Sequence, residues 1–364
     1  MDQLNDPLVL LRAPGKGLLT FSTGGRRNVD LEKRYFSKIL GNRSWFEQVD
    51  RVLTQGVGPF ILGVPSDSGA GICRGSNHGP QFLREALLKM DPKWAHSDLG
   101  DVPSIPQLSH DSLLNSEQKK RSGIALWGED YREFLPVSPL NILESVLFNV
   151  WKRNSDHRVL TVGGDHSISE SVFRALKSSM KLGKLGVLHF DAHTDLLEDR
   201  FGVAHCFGTW AANAVKMMAD PKAFVQLGIR TSGRDQKHWE EKFGLRQIWA
   251  ATAKKKSAKA MAKDLLAHWT AMGISDLYIS FDIDALDPKF APSTGTPEKM
   301  GLDLKWSKDL LLEISKNMKV ISADIVEIAP VLGSKADIQK TVKASAQIST
   351  ILLKAMKPAK AKKK

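Results

Sequence analysis

A chain of 364 residues, 42% hydrophobic and 25% charged, has the composition of an ordinary globular protein, long enough for one large α/β domain with extensions or for two small domains. No window nears the roughly eighteen uninterrupted apolar residues of a membrane span. Met1-Asp-Gln-Leu-Asn-Asp6 lacks the basic-then-apolar order of a signal peptide, so a cytoplasmic protein without membrane contact is expected. The formal charge of +12 is concentrated in the tail at 354–364, with six lysines, and in Lys254, Lys255, Lys256, Lys259 and Lys263. Such alanine-lysine tracts without aromatics read as a frayed tail and a solvated helix face, so no specific nucleic-acid partner is expected.

Residues 1–55 are mixed in polarity and hold Gly24-Gly-Arg-Arg27 and one amphipathic helix expected at 30–40. They form an N-terminal extension that packs on the main domain or on a neighbouring subunit. The main domain, 56–353, opens with a strand at 60–64 and a polar, glycine-rich loop at 65–75. The loop matches neither the Walker spacing nor Gly-x-Gly-x-x-Gly and is read as a substrate-entrance loop. Gly79-Pro80 starts a helix whose apolar positions are Phe82, Leu83, Ala86, Leu87 and Met90. From Asp91 to about Val137 the pattern weakens, apart from a short strand at 98–102. A helix at 139–153, a strand at 158–162, a helix at 169–180 and a strand from 187 follow. Strands are then expected at 223–230, 276–281 and 320–327, with helices ending at 264–272 and spanning 336–356. The lysine-rich tail, 354–364, closes the chain. Strands alternating with helices at this spacing predict an α/β fold, a parallel sheet covered on both faces. Cys73 and Cys206 fit no zinc or redox spacing, and no disulfide framework is expected.

Three apolar strands end in acid or imidazole. The run from Leu185 closes on Asp191-Ala-His-Thr-Asp195, that from Leu277 on Asp282-Ile-Asp284, and Val162 leads into Gly163-Gly-Asp-His166. Side chains two apart on an extended chain point the same way, so Asp191, His193 and Asp195 can converge. In an open parallel sheet the carboxyl ends of the strands are where ligands collect. Any one of these aspartates alone reads as a helix cap or turn residue. The conjunction points to metal ligands: His166, Asp191, His193, Asp195, Asp282 and Asp284. Four carboxylates so close repel one another unless cations sit between them. Two histidines with carboxylates and no thiolate favour Mn²⁺ over a structural Zn²⁺. Two ions roughly 3.5–4 Å apart lower the pKa of a shared water toward neutrality, and the natural reaction is hydrolysis. Asp165 and Asp287, beside the ligands, are read as hydrogen-bonding or turn residues.

At these residues the chain resembles the ureohydrolase family, the arginase and agmatinase group of binuclear manganese enzymes. The matches are Gly163-Gly-Asp-His-Ser167, Asp191-Ala-His-Thr-Asp-Leu196 and Ser280-Phe-Asp-Ile-Asp-Ala-Leu-Asp-Pro288, continued by Phe290-Ala-Pro-Ser-Thr-Gly-Thr-Pro297. Weaker agreement at Arg74–Pro80, Asp98–Val102, Gly228–Arg230 and Asp324–Glu327 extends it over about residues 58–350. The resemblance implies a three-layer αβα fold around an eight-stranded parallel sheet, assembled into homotrimers or hexamers, with two Mn²⁺ per subunit. One metal would be held by His166, Asp191, Asp195 and Asp282, the other by Asp191, His193, Asp282 and Asp284. Asp195 would also accept a hydrogen bond from the bridging hydroxide. Glu327 matches the glutamate that grips the guanidinium, and His205 falls where agmatinase-like members place a proton-shuttling histidine.

The implied reaction cleaves a guanidino C–N bond to urea and an amine, with agmatine-like substrates, and so polyamine metabolism, ahead of arginine or another guanidino acid. Arginases carry an Asn and a Ser where Leu196–Ala204 supplies neither, while Glu198 or Asp199 could meet a distal amine. The stretch His205-Cys-Phe-Gly-Thr209 is two residues longer than the agmatinase pattern, Ser293 replaces a usual glycine, and Lys299-Met300 departs from a glycine-rich continuation. The alternatives are an amide deacetylase with a single zinc, which needs fewer carboxylates, and a basic polyanion-binding protein.

Overall fold

Eight short segments, most of them rich in Val, Ile, Leu and Phe, form strands in the computed structural model: β1 (Phe60–Val64), β2 (Asp98–Asp101), β3 (Val159–Gly163), β4 (Leu185–Phe190), β5 (Phe224–Leu227), β6 (Arg246–Ile248), β7 (Asp276–Asp282) and β8 (Lys319–Val326). The structure describes residues 7–19, 36–40, 44–129, 131–179 and 185–357. Every strand pair is parallel, and the order across the single sheet is β2-β1-β3-β8-β7-β4-β5-β6.

Alternation along the strands builds two apolar cores, one on each face. From β1, Phe60, Leu62 and Val64 enter one and Ile61 the other; from β4, Val187 enters the first and Leu188 and Phe190 the second. Helices Trp45–Gln55, Pro139–Arg153, Ile168–Ser179, Trp210–Met217 and Gln236–Phe243 cover the first face. Gly79–Met90, Ala258–Ala271, Leu304–Ser315 and Lys335–Ala355 cover the second. The expected three-layer αβα architecture with an eight-stranded parallel sheet is the one observed. Among the described residues no helix is long and apolar enough to cross a membrane.

The helix at Gly79–Met90 begins at the expected proline but is rotated from its expected apolar face. Leu83, Leu87 and Leu88 are buried, whereas Phe82 and Met90 are exposed. The reason is Arg84, which occupies a buried position because β2 supplies partners: its Nε donates to Asp98 Oδ2 at 2.7 Å, Nη1 to Asp101 Oδ1 at 2.5 Å and Nη2 to the Gly100 carbonyl at 2.6 Å. A buried guanidinium is tolerable only when so satisfied. Burial pushes the Asp98 carboxyl up to about 6 despite Arg84.

The edge strand β2 is covered by the N-terminal segment. Arg12 and Asp101 exchange backbone hydrogen bonds at 2.8 and 2.7 Å, Ser104 and Leu19 continue the contact, and Leu8, Leu10 and Leu11 are buried beside it. The extension therefore packs on its own domain over residues 7–19 and removes an open sheet edge. Of the helix expected at 30–40, Ser37–Leu40 is helical and 30–35 lie outside the described residues, as do 24–27 and the tail beyond 357. The stretch read as irregular contains the helix Ser116–Trp127, with a capping box between Asn115 and Gln118. The strand expected at 223–230 is only Phe224–Leu227, because Gly228 turns the chain with φ 109°.

Candidate active site

The sheet order places the ends of β3, β8, β7 and β4 side by side, and each carries a predicted site residue just beyond or at its last position. The Gly-Gly after β3 is a steric requirement: a Cβ on Gly164 would lie 1.6 Å from the Ser66 carbonyl oxygen. The Gly164 carbonyl in turn accepts from the Glu327 N–H at 2.9 Å, joining the ends of β8 and β3.

His166, fully buried, points Nδ1 at three carboxylate oxygens, Asp191 Oδ2 at 3.1 Å and Asp195 Oδ2 and Asp282 Oδ2 at 3.2 Å each. Its other nitrogen, Nε2, lies 2.9 Å from Ser280 Oγ, whose hydroxyl donates to Asp324 Oδ1 at 2.8 Å. The single hydroxyl proton of Ser280 is thereby used, so His166 Nε2–H is the donor and Nδ1 is left with a lone pair. That nitrogen has no hydrogen-bond partner. A lone pair facing three acidic oxygens is the arrangement a cation resolves, and the donor set fits a bound metal.

A second group gathers His193 Nδ1, Asp284 Oδ2 at 3.0 Å and Asp191 Oδ1 at 3.5 Å. Asp191 thus gives one oxygen to each group. Asp282 stands in the first group; its Oδ1 accepts from the Asp284 N–H at 2.7 Å, so that oxygen also caps the turn. All four aspartates are at least nine-tenths buried. Burial and the neighbouring Asp284 and Asp191 hold the Asp282 carboxyl well above its usual range. Burial lowers the His193 imidazole, but Asp284 and Asp191 outweigh it and push it up to about 12. Positive charge is what the cluster lacks, whether supplied as protons or as metal ions.

A residue that sequence reasoning missed lies one layer below. His189, within β4, donates from Nε2 to Asp191 Oδ2 at 2.8 Å. In register with it run Asp324, Ser280, Gln226 and Gln247, a polar row from β8 to β6 across the sheet. The hydrogen bonds along it have one direction. Trp249 Nε1, which can only donate, gives to Gln247 Oε1 at 2.9 Å; Gln247 Nε2 gives to Gln226 Oε1 at 2.7 Å; Gln226 Nε2 gives to His189 Nδ1 at 2.9 Å. The indole therefore sets the tautomer that lets His189 hold Asp191. The Gln226→Met variant should fold and bind metal about 10- to 100-fold more weakly, measured by metal retained against a chelator. Unchanged retention would show that His189 needs no such orientation. A glutamine inside the otherwise apolar run Phe224–Leu227 was the available signal.

Two site residues adopt left-handed backbone conformations rare for non-glycines, Asp195 with φ 50° and Glu327 with φ 61°. Trp210 Nε1 donates to Asp195 Oδ2 at 3.0 Å, and Glu327 Oε1 accepts from the His166 N–H at 2.9 Å. Burial and Asp165 push the Glu327 carboxyl well up. Asp165 takes N–H groups of Gly69 and Ser167, and Asp287 those of Lys289 and Gly301, the turn roles expected of both. Cys206 is a buried free thiol.

His205 is not in contact with the donor cluster. Its Nδ1 lies 3.1 Å from both oxygens of Glu170, which Arg174 and Asn213 also hold, and its ring stacks on His110 at 3.9 Å. It lines a cleft with the 68–72 loop, and Arg200 and Phe207 stand between that cleft and a second one lined by His193 and Asp195.

The sequence model of the Arginase family matches residues 58–353. The chain belongs to the arginase family. It is 30% identical to a guanidinobutyrase of Pseudomonas aeruginosa over 74% of this chain and 78% of that protein. Its identity to a mitochondrial agmatinase of Gallus gallus is also 30%, over 84% of each. Among solved structures it resembles the proclavaminate amidino hydrolase of Streptomyces clavuligerus, with a TM-score of 0.64 and 25% identity, covering 83% of this chain and 93% of that one. As an arginase-family member it is a hydrolase of the ureohydrolase group, a family dependent on two metal ions, and the buried His/Asp cluster offers the donors for them.

Proposed function

We propose that the protein hydrolyses the C–N bond of a guanidino compound on a short alkyl chain, releasing urea and an amine, with two Mn²⁺ held by His166, Asp191, His193, Asp195, Asp282 and Asp284. The observation that carries this is Asp191, whose two oxygens face two separate histidine-containing donor groups. Two imidazoles and four carboxylates without a thiolate suit Mn²⁺. When bound, the pair supplies Lewis acidity and ionises a water near neutral pH.

The protein's own residues do the rest. Glu327, held by the His166 N–H, turns a desolvated carboxylate to the forked donors of the guanidinium. Asp195, fixed by Trp210, orients the attacking water by accepting its proton in a hydrogen bond. With Nδ1–H donated to Glu170, His205 keeps Nε2 free to take a proton from solvent and pass it toward the departing amine. The relatives' names, guanidinobutyrase and agmatinase, support a guanidino substrate and leave its tail open. The absence of the arginase Asn and Ser from 196–204 disfavours arginine. Homotrimers or hexamers in the cytoplasm complete the reading.

The test is urea release from 4-guanidinobutyrate, agmatine, arginine and free guanidine by protein loaded with Mn²⁺, Ni²⁺ or Zn²⁺. Turnover of at least one guanidino compound is expected, fastest with Mn²⁺. No urea from any combination would overturn the proposal.

A further inference from the structure

We infer that the far end of the substrate is a carboxylate, received by Arg200 and Arg234; this rests on the guanidino-hydrolase reading of the same site. The cleft that His193 and Asp195 line has a volume of about 480 Å³ and also carries Arg200, Phe207, Arg234 and Trp239. Exposure rises from Asp195, at 7%, to the exposed Thr231, Gly233 and Arg234, so the cleft opens from the donor cluster toward the guanidinium groups. A substrate gripped by its guanidino head at Glu327 and the metal ligands sends its tail along this wall.

Beyond His193 and Asp195 at the ligand end, the charged residues that line this cleft are Arg200 and Arg234. Among the described residues neither Arg200 nor Arg234 has a carboxylate partner. Arg200 is held by a neutral contact, its guanidinium 4.9 Å from the centre of the Phe207 ring, which orients the fork without neutralising it. The acidic residues expected to meet an amine are turned away: Glu198 pairs with Lys242 Nζ at 3.0 Å, and Asp199 Oδ1 accepts from the Gly202 N–H at 2.9 Å. Glu298, whose Oε1 lies 3.7 Å from His193 Nε2, stands beside the ligand end and does not line the cleft. Two unneutralised guanidinium groups attract a carboxylate tail, which they can meet with paired N–H donors, and repel an ammonium. The substrate class is an ω-guanidino acid, and the amine product an ω-amino acid.

The experiment compares 4-guanidinobutyrate with agmatine, two guanidino-alkyl compounds of similar length and opposite tail charge, on the full-length Mn²⁺-loaded protein. The wild type should favour the acid in kcat/KM by on the order of tenfold or more. Arg200→Glu and Arg234→Glu should each raise KM for the acid and lower it for agmatine, shifting the ratio by about tenfold or more, while Arg200→Lys keeps the preference for the acid. Metal content and thermal midpoint equal to wild type establish that the variants are folded, and Arg234→Gln is the milder substitute if a reversal fails that control. A wild type that prefers agmatine, or a ratio that no variant moves, overturns the carboxylate assignment and leaves the hydrolase reading standing. No urea from either compound overturns the hydrolase reading itself, and this inference with it.

Discussion

The Asp191→Ala protein should lose both metal ions and at least about a thousandfold in turnover, because without them no water is ionised at neutral pH. Asp191 Oδ2 lies 3.1 Å from His166 Nδ1 and Oδ1 lies 3.5 Å from His193 Nδ1, so one truncation takes a ligand from each donor group. It also strips His189 and the His193 N–H of their shared acceptor. The polypeptide should still fold, since removing one of four crowded carboxylates relieves repulsion. Elemental analysis after dialysis reads the loss directly. Adding Mn²⁺ should raise the thermal midpoint of the wild type and leave that of the variant unmoved. Full metal content in the variant would mean that the two groups do not share this carboxylate.

Glu327→Gln should separate substrate grip from metal binding. Glutamine keeps an oxygen to accept the His166 N–H at 2.9 Å, so the ends of β3 and β8 remain joined. It removes the negative charge that a guanidinium would meet, and a hydrogen bond to a charged group is worth about 1.5–3 kcal/mol, or roughly 10- to 150-fold in kcat/KM. The loss should fall mainly on KM with metal content unchanged, and the variant should be no less stable, because a buried carboxylate costs more than a buried amide that is bonded. A KM within twofold of wild type would place the guanidinium against another group.

Much of the site was legible at the strand ends. Asp191, His193 and Asp195 are two apart, and so are Asp282 and Asp284, and with His166 each set follows an apolar strand; the motif resemblance added Glu327, while the actual convergence is made by the turns beyond the strands, with Asp284 in a 3-10 turn and Asp195 at φ 50°. His189 was not legible: a lone histidine inside Leu185–Phe190 reads as core until Gln226 and Asp191 are seen beside it. Arg84 misled the helix phase at Gly79–Met90, since its burial depends on Asp98 and Asp101 in another element. The helix Ser116–Trp127 carried a capping signal, but weak apolar patterning hid it. Glu198 and Asp199 were the acids expected to meet a distal amine, but Glu198 pairs with Lys242 and Asp199 accepts the Gly202 N–H within its own loop.

By itself the amino-acid sequence determined that six acid and imidazole groups stand at or just beyond the ends of parallel strands, because short apolar runs that stop at acid or imidazole are read locally along the chain. Only the tertiary structure decided that β3, β8, β7 and β4 are neighbours, although β8 follows β3 in the sheet by more than 150 residues of chain. Parallel strands need long crossovers, and a crossover does not encode which neighbour its strand will join. Register is equally non-local, and it aligned Asp324, Ser280, His189, Gln226 and Gln247 beneath the ligands.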